Sequence, residues 1–101
     1  MGIPLRVIDA PADPAYAPLI ADGTIKPGDC WRDDWDGAHP GGWRIVLPNL
    51  QTWCTWHRAT DGGYWDISGE PPALTVAPSI LCPVPAPGWH GFITNGELVD
   101  A

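Results

Sequence analysis

Three cysteines and a histidine are the residues in this chain best suited to hold a metal ion. Thiolate and imidazole are the donors that tetrahedral zinc prefers. The chain offers four of them, at Cys30, Cys54, Cys82 and His90. The cysteines lie more than twenty residues apart, whereas structural zinc sites usually take two ligands from one tight Cys-x-x-Cys turn. We therefore predict three small buried thiols and no cofactor, with zinc as the alternative.

Ser79 and His90 have the residue types of a hydrolytic pair. A histidine titrates near neutral pH and can take a proton from a serine hydroxyl. His57, which stands beside Arg58 and close to Asp61, is a second candidate base. Such a pair also needs an orienting acid and an oxyanion hole, and no G-x-S-x-G elbow surrounds Ser79. We predict structural hydrogen bonds for these side chains. A small hydrolytic or metal-binding enzyme centred on His90 and Ser79 is the alternative function.

The acidic segment between Asp29 and Asp36 resembles part of a calcium-binding EF-hand loop. If Gly37 is the sixth loop position, Arg32 stands where the first Asp belongs and Trp43 where the bidentate carboxylate belongs. We therefore interpret the segment as a solvated loop. The glycine-rich motifs that cradle phosphates do not occur, which removes support for nucleotide chemistry.

Tryptophan is unusually frequent, with seven residues in a chain of 101. Large rings supply much of the area that a small sheet buries, so most of them are expected in the core. Seven rings are hard to hide together, and one or two are expected on the surface for contact. The binding candidates are Trp31, Trp35, Trp56 and Trp89. Two or three coplanar exposed rings would instead indicate a carbohydrate-binding module.

Acidic residues outnumber basic ones by twelve to five, and the formal net charge is −7. This charge repels phosphate backbones and anionic membranes, so we predict no contact with nucleic acid or membrane. No apolar run approaches the roughly 20 residues that span a bilayer. The opening residues also lack the basic and apolar regions of a secretion signal, so we predict no secretion by a signal peptide. A protein partner is the class that remains, with a homo-oligomer as an alternative.

Proline and glycine, with 13 and 12 residues, are spread along the chain and interrupt helices almost everywhere. We predict an all-β fold with very little helix, as a small antiparallel sandwich or rolled sheet of short strands and hairpins. The length fits a single domain over residues 1–101. Residues 1–27 would form an irregular Pro-rich arm with one short strand, at Leu5–Ile8, and residues 28–100 the β core.

The clearest predicted hairpin joins Trp43–Leu47 to Thr52–His57. Both runs are rich in β-branched and aromatic residues, and Pro48-Asn49 supplies a turn between them. Alternation places Trp43, Ile45 and Leu47 on one face and puts Cys54 and Trp56 opposite Trp53. Both faces are apolar, so the hairpin needs cover from a second layer.

A second hairpin is predicted near the end of the chain. It joins Trp89–Thr94 to Glu97–Val99 through Asn95-Gly96, a dipeptide typical of type I′ turns. A turn is expected at Pro78-Ser79-Ile80, and its packing beside the hairpin would bring Ser79 close to His90.

Three segments carry a further pattern: Pro78-Ser79-Ile80, then Trp89-His90-Gly91-Phe92-Ile93, then Asn95-Gly96-Glu97-Leu98-Val99. In these the chain resembles a family of small domains found in phages of actinobacteria and in bacterial genomes. The stretches GGWRIVLPN, DGGYW and GEPP fit the same family, so the similarity covers roughly residues 28–100.

That resemblance implies a β-rich fold and a phage or prophage setting, and it brings no established activity. Some relatives have Cys before the matching His, where this chain has Trp89, which argues against a family metal site here. We expect a phage-encoded accessory protein that acts through contacts with a phage structural or host protein. Its place would be the virion or the host cytoplasm, and no catalytic activity is evident.

Overall fold

The computed structural model describes residues 2–11, 16–32, 42–55, 66–82 and 88–101. Within these segments the chain forms nine strands and one short helix, which confirms the all-β fold with very little helix. In chain order the elements are β1 (Ile3–Pro4), β2 (Arg6–Val7), α1 (Tyr16–Ala21), β3 (Asp29–Arg32), β4 (Trp43–Val46), β5 (Thr52–Cys54), β6 (Asp66–Ser68), β7 (Thr75–Cys82), β8 (Trp89–Thr94) and β9 (Glu97–Asp100).

The strands form two sheets. One has five antiparallel strands in the order β1-β9-β8-β7-β6, and the other has four in the order β2-β3-β4-β5, in which only the β2–β3 pair is parallel. A single residue, Leu5, separates β1 from β2. The N-terminal segment therefore joins both sheets, whereas the sequence predicted an irregular arm with one strand.

The two sheets pack face to face as a sandwich around one apolar core. Each sheet contributes the residues that alternate toward the other, and Leu5 lies between them. The core consists of Leu5, Cys30, Ile45, Leu47, Trp53, Leu74, Val76, Ile80, Trp89, Ile93 and Leu98.

Helix α1 corrects the prediction that residues 1–27 form an irregular Pro-rich arm. Pro18 is the third residue of the helix, where the backbone N–H that proline lacks would have no intrahelical acceptor. Ile20 of the helix packs with Ile25, Trp31 and Val46 on the outer side of the four-stranded sheet. Tertiary burial of this apolar side stabilises a helix too short to form alone.

Both predicted hairpins form. Ile45 pairs with Trp53 and both face the core, although β5 ends at Cys54 and residues 56–57 lie outside the described residues. In the β8–β9 turn, Asn95 and Gly96 have φ of 50° and 80°, the positive values that a type I′ turn requires. A Cβ at Gly96 would also overlap the carbonyl oxygen of Pro72, which excludes other residues there.

The predicted turn at Pro78-Ser79-Ile80 is wrong, because these residues lie inside β7. Their strand is irregular, since the register against β8 shifts between Val76 and Ile80. The pairing of β6 with β7 reaches only Ala77. Proline has no N–H to donate to a neighbouring strand. A sheet tolerates it at a bulge or where the neighbouring strand has ended, and Pro78 lies at such a position.

Candidate functional site

The outer face of the five-stranded sheet carries exposed apolar side chains. Residues of β8 alternate between buried and exposed, and His90 and Phe92 point outward. Leu81 of β7 pairs with His90, and Val99 of β9 pairs with Phe92. Leu81 is 63% exposed and Phe92 is 39% exposed. We call Leu81, His90, Phe92 and Val99 the outer patch.

The residues of the outer patch were not all candidates from sequence. His90 was singled out for its chemistry, whereas Leu81 and Phe92 read as ordinary strand residues. The alternation of Trp89–Thr94 was the available signal, because it places His90 and Phe92 on one side. Which side meets solvent depends on where the second sheet packs.

Ser79 and His90, the sequence-predicted pair, meet at the edge of the outer patch. The Oγ atom of Ser79 lies 2.9 Å from Nε2 of His90, within hydrogen-bond distance. The irregular stretch of β7 brings Ser79 to this position. No described residue hydrogen-bonds to Nδ1 of His90, and the pair lies on an exposed surface. The described residues thus provide a nucleophile and a base without an orienting acid.

The candidate zinc ligands on the four-stranded sheet do not converge. Cys30 pairs with Ile45 of β4, whereas Cys54 pairs with Arg44, the residue before Ile45 on the same strand. Consecutive residues of a strand point to opposite faces, so the two thiols lie on opposite sides of the sheet.

The other two candidate ligands are separated in the same way. Cys82 pairs with Trp89, which is buried, while the next residue, His90, points outward. The structure brings together no group of three His, Cys, Asp or Glu side chains in the described ranges. None of the three cysteines forms a disulfide.

Cys30 lies in an environment that suppresses thiol chemistry. Its side chain is fully buried and Sγ lies 3.5 Å from the carbonyl oxygen of Arg6, to which it donates. Burial, followed by the negative charge of Asp29, raises the pKa of the Cys30 thiol to about 11. Because the thiolate is the nucleophile and the metal ligand, Cys30 is a structural residue at neutral pH.

The predicted tryptophan contacts do not fit the structure where it describes them. Trp31 and Trp89 are 4% and 7% exposed, which is the reverse of the exposure that a binding role needs. Trp31 lies under α1, where its ring is 5.6 Å from that of Tyr16. Trp35, Trp56 and the candidate base His57 lie outside the described residues. No described tryptophan is exposed enough to form a carbohydrate platform.

Asp29 also departs from its predicted place in a solvated loop. It is 3% exposed and starts β3, beside Arg6 of β2. The Arg6 guanidinium donates from Nε and from Nη2 to the two carboxylate oxygens, each over 2.9 Å. The backbone N–H of Lys26 donates a third bond over 3.0 Å. The carboxylate therefore ties the parallel strand pair together and is not a metal ligand in this arrangement.

A depression of about 330 Å³ lies between α1 and the β4–β5 turn. Its lining contains no cysteine, histidine or charged side chain. It is formed by Tyr16, Ala17, Ile20, Ala21, Leu50, Gln51 and Thr52.

Comparison of the chain with protein-family models, curated proteins and solved structures finds no match. The similarity to phage domains therefore remains a prediction from the sequence motifs. Within the described segments, no helix has the length and hydropathy needed to cross a membrane.

Proposed function

We propose that this protein is a phage-encoded accessory protein that acts by contacting another protein through the outer patch. The observation that supports this proposal is the exposure of Leu81 and Phe92 on adjacent strands of one sheet. On the opposite side of the sandwich, α1 packs over the corresponding face and buries Trp31 and Val46. The two outer faces thus differ: one has an apolar cover, and the other presents large apolar side chains to solvent. The phage setting comes from the sequence resemblance.

The size of the outer patch indicates what kind of contact it makes. Burying an already half-exposed Leu or Phe stabilises a complex by roughly 1–2 kcal/mol. Two such side chains fall short of the ~8 kcal/mol of a micromolar complex. Leu81 and Phe92 would therefore form the centre of a wider interface, with polar residues around it. β8 is hydrogen-bonded on both sides, and β7 pairs with β8 at Leu81, so the backbone of the outer patch is already ordered before binding.

Site-specific photo-crosslinking tests this proposal. A benzoylphenylalanine replaces Leu81 in one variant and Leu50 in a matched control, because Leu50 is also exposed, at 48%, but lies in the β4–β5 turn. Each protein is irradiated with virions and with lysate of phage-infected actinobacterial cells. We expect a defined protein adduct from position 81 at a yield at least fivefold above that from position 50. Equal yields from both positions, or no adduct from position 81, would overturn the proposal.

A second variant links the adduct to the outer patch itself. Phe92→Ser removes a ring that is already more than half buried against its own sheet, so it should lower the free energy of unfolding by about 1–2 kcal/mol and leave the protein folded. We expect it to abolish the adduct formed from position 81. An adduct that persists at full yield would show that Phe92 takes no part in the contact.

The Ser79–His90 distance favours ester hydrolysis as a second candidate function. In that reaction the Oγ atom of Ser79 would attack the acyl carbon of an ester while His90 takes its proton and returns it to the departing alcohol, and water would then cleave the acyl–Ser79 ester. Labelling with a fluorophosphonate probe tests it, with Ser79→Ala and His90→Gln as the variants. The control is Thr94→Ala, which removes the hydroxyl of an exposed residue on the neighbouring strand β8. Labelling of Ser79 that His90→Gln abolishes would support hydrolysis, and an unlabelled Ser79 would exclude it.

A further inference from the structure

The charges of this protein are distributed unevenly along the chain. All five basic residues occur at or before Arg58, and residues 59–101 contain five acidic residues and no Lys or Arg. The acidic residues in that range are Asp61, Asp66, Glu70, Glu97 and Asp100.

The two sheets divide these charges between them. The strands of the four-stranded sheet contain three arginines, Arg6, Arg32 and Arg44, against one acid, Asp29. The strands of the five-stranded sheet contain three acids and no Lys or Arg. The sheet that presents the outer patch is therefore the negatively charged one.

Two of the acids lie on the same side of the sheet as the outer patch. Asp66 of β6 pairs with Ala77, the residue after the inward-facing Val76. Glu97 of β9 pairs with Thr94, which alternates outward with Phe92. Asp66 and Glu97 are both exposed. They lie on the first and the fourth of four adjacent strands, on either side of Phe92, while Leu81 lies to one side, opposite His90.

We propose that the outer patch takes a basic protein segment, with one apolar side chain against Leu81 and Phe92 and a Lys or Arg toward each flanking acid. This inference rests on the proposed function and specifies its partner. Neighbouring strands are ~4.8 Å apart, so the two acids are separated by about 14 Å across the sheet. An extended chain covers that distance in about four residues. The partner motif is therefore a central apolar residue with a basic residue two positions before it and two after.

A second copy of this chain does not meet that requirement. Paired through its own outer patch, it would bring the same acidic flanks to the interface and a net charge of −7 on each side. Like charges placed against each other weaken association. A basic segment of another protein supplies the complementary charge that a second copy lacks.

Titrations monitored by ¹H–¹⁵N NMR test the inference with three defined peptides. The first has the sequence Gly-Lys-Ser-Phe-Ser-Lys-Gly, the second replaces both Lys by Glu, and the third replaces Phe by Ala. We expect only the first to shift the amide signals of Leu81, His90, Phe92 and Val99 at low ionic strength. The shifts should weaken as salt is added.

The outcomes separate this inference from the proposed function. Equal shifts from the Lys and Glu peptides would overturn the basic partner and leave the outer patch as a contact surface. Shifts from the Lys peptide that lie elsewhere on the protein, or no shifts at all, would overturn the inference. The crosslinking experiment at position 81 then decides the proposed function independently.

Matched variants test the two flanking acids. Asp66→Asn combined with Glu97→Gln should weaken binding of the Lys peptide about fivefold, the effect of losing two exposed ion pairs. Asp9→Asn combined with Glu70→Gln removes the same charge from exposed residues outside the five-stranded sheet and should leave binding nearly unchanged. An equal effect of both pairs would show that only net charge attracts the peptide and would overturn the inference.

Discussion

The indole ring of Trp89 lies against Gly91, two residues further along the same face of β8, and a Cβ at Gly91 would overlap Cζ2 of the ring. The ring continues toward β9, where its Nε1 donates a 2.7 Å hydrogen bond to Oδ1 of Asp100. Asp100 is also the register partner of Gly91. Because Gly91 has no side chain, the Trp89 ring can pass over it and donate its hydrogen bond to β9. This packing keeps the ring buried.

Gly91→Ala should therefore lower the free energy of unfolding by about 1–3 kcal/mol, the usual cost of overpacking a filled site. Urea unfolding followed by tryptophan fluorescence measures the change. Thr94→Ala, on the exposed side of the same strand, should cost less than about 0.5 kcal/mol. A similar small loss for Gly91→Ala would contradict the packing described for Trp89.

Cys30 should make stability depend on pH in the alkaline range. Its folded-state pKa, about 11, exceeds the ordinary value of 9.0, so from about pH 9 the unfolded chain loses this proton before the folded chain does. The free energy of unfolding should decline as pH rises through this range, by at most about 3 kcal/mol in total, because the folded and unfolded pKa values differ by about two. Urea unfolding at several pH values, in a reducing buffer, measures the decline.

The Cys30→Ala variant isolates this effect from the titration of other groups. Replacing the buried Cys30 by the smaller alanine also changes stability at neutral pH. The quantity to compare is therefore the slope of the free energy of unfolding against pH. The slope between pH 9 and 11 should be shallower than in the native sequence. An identical slope would mean that Cys30 ionises normally in the folded protein.

The three thiols should differ in their reaction with Ellman's reagent. Cys82 is half-buried, whereas Cys30 and Cys54 are buried. We expect Cys82 to react at least tenfold faster than either of the others in the native protein, because attack requires an accessible thiolate. All three should react rapidly in urea. Equally fast modification of Cys30, located by peptide mass spectrometry, would contradict its burial.

Arg6 should contribute more to stability than its partner Asp29. Arg6→Ala leaves the carboxylate of Asp29, which is 3% exposed, buried without its countercharge. Asp29→Ala leaves a guanidinium that water can hydrate, because the Arg6 side chain is 63% exposed, so its cost should be smaller, about 1–2 kcal/mol from the unsatisfied N–H of Lys26. Chemical unfolding of both variants compares them, and a larger loss for Asp29→Ala would be inconsistent with this arrangement.

Local features of the sequence predicted much of the fold. The Asn95-Gly96 turn was predictable because it depends on φ preferences of two adjacent residues. The β4–β5 hairpin followed from alternation around Ile45 and Trp53. Helix α1 was missed because the presence of Pro18 argues against a helix, although its position in the first turn makes it tolerable.

The candidate site was less predictable than the strands that carry it. Ser79 and His90 were recognised by residue type, but the expected turn is an irregular strand. Trp89 was a binding candidate because seven tryptophans suggested that some rings are exposed. The number of rings does not say which of them point toward solvent. The zinc alternative could be judged only from strand register, which separates Cys82 from His90.

The sequence by itself determined the all-β class, the positions of the hairpins and the absence of Lys and Arg after Arg58. These follow from backbone preferences and from residue order, which need no knowledge of distant contacts. Tertiary structure alone decided which side of each strand is buried, because that depends on where the second sheet and α1 pack. The exposure of Leu81 and Phe92, the burial of Trp31 and Trp89, and the meeting of Ser79 with His90 all arise from this packing.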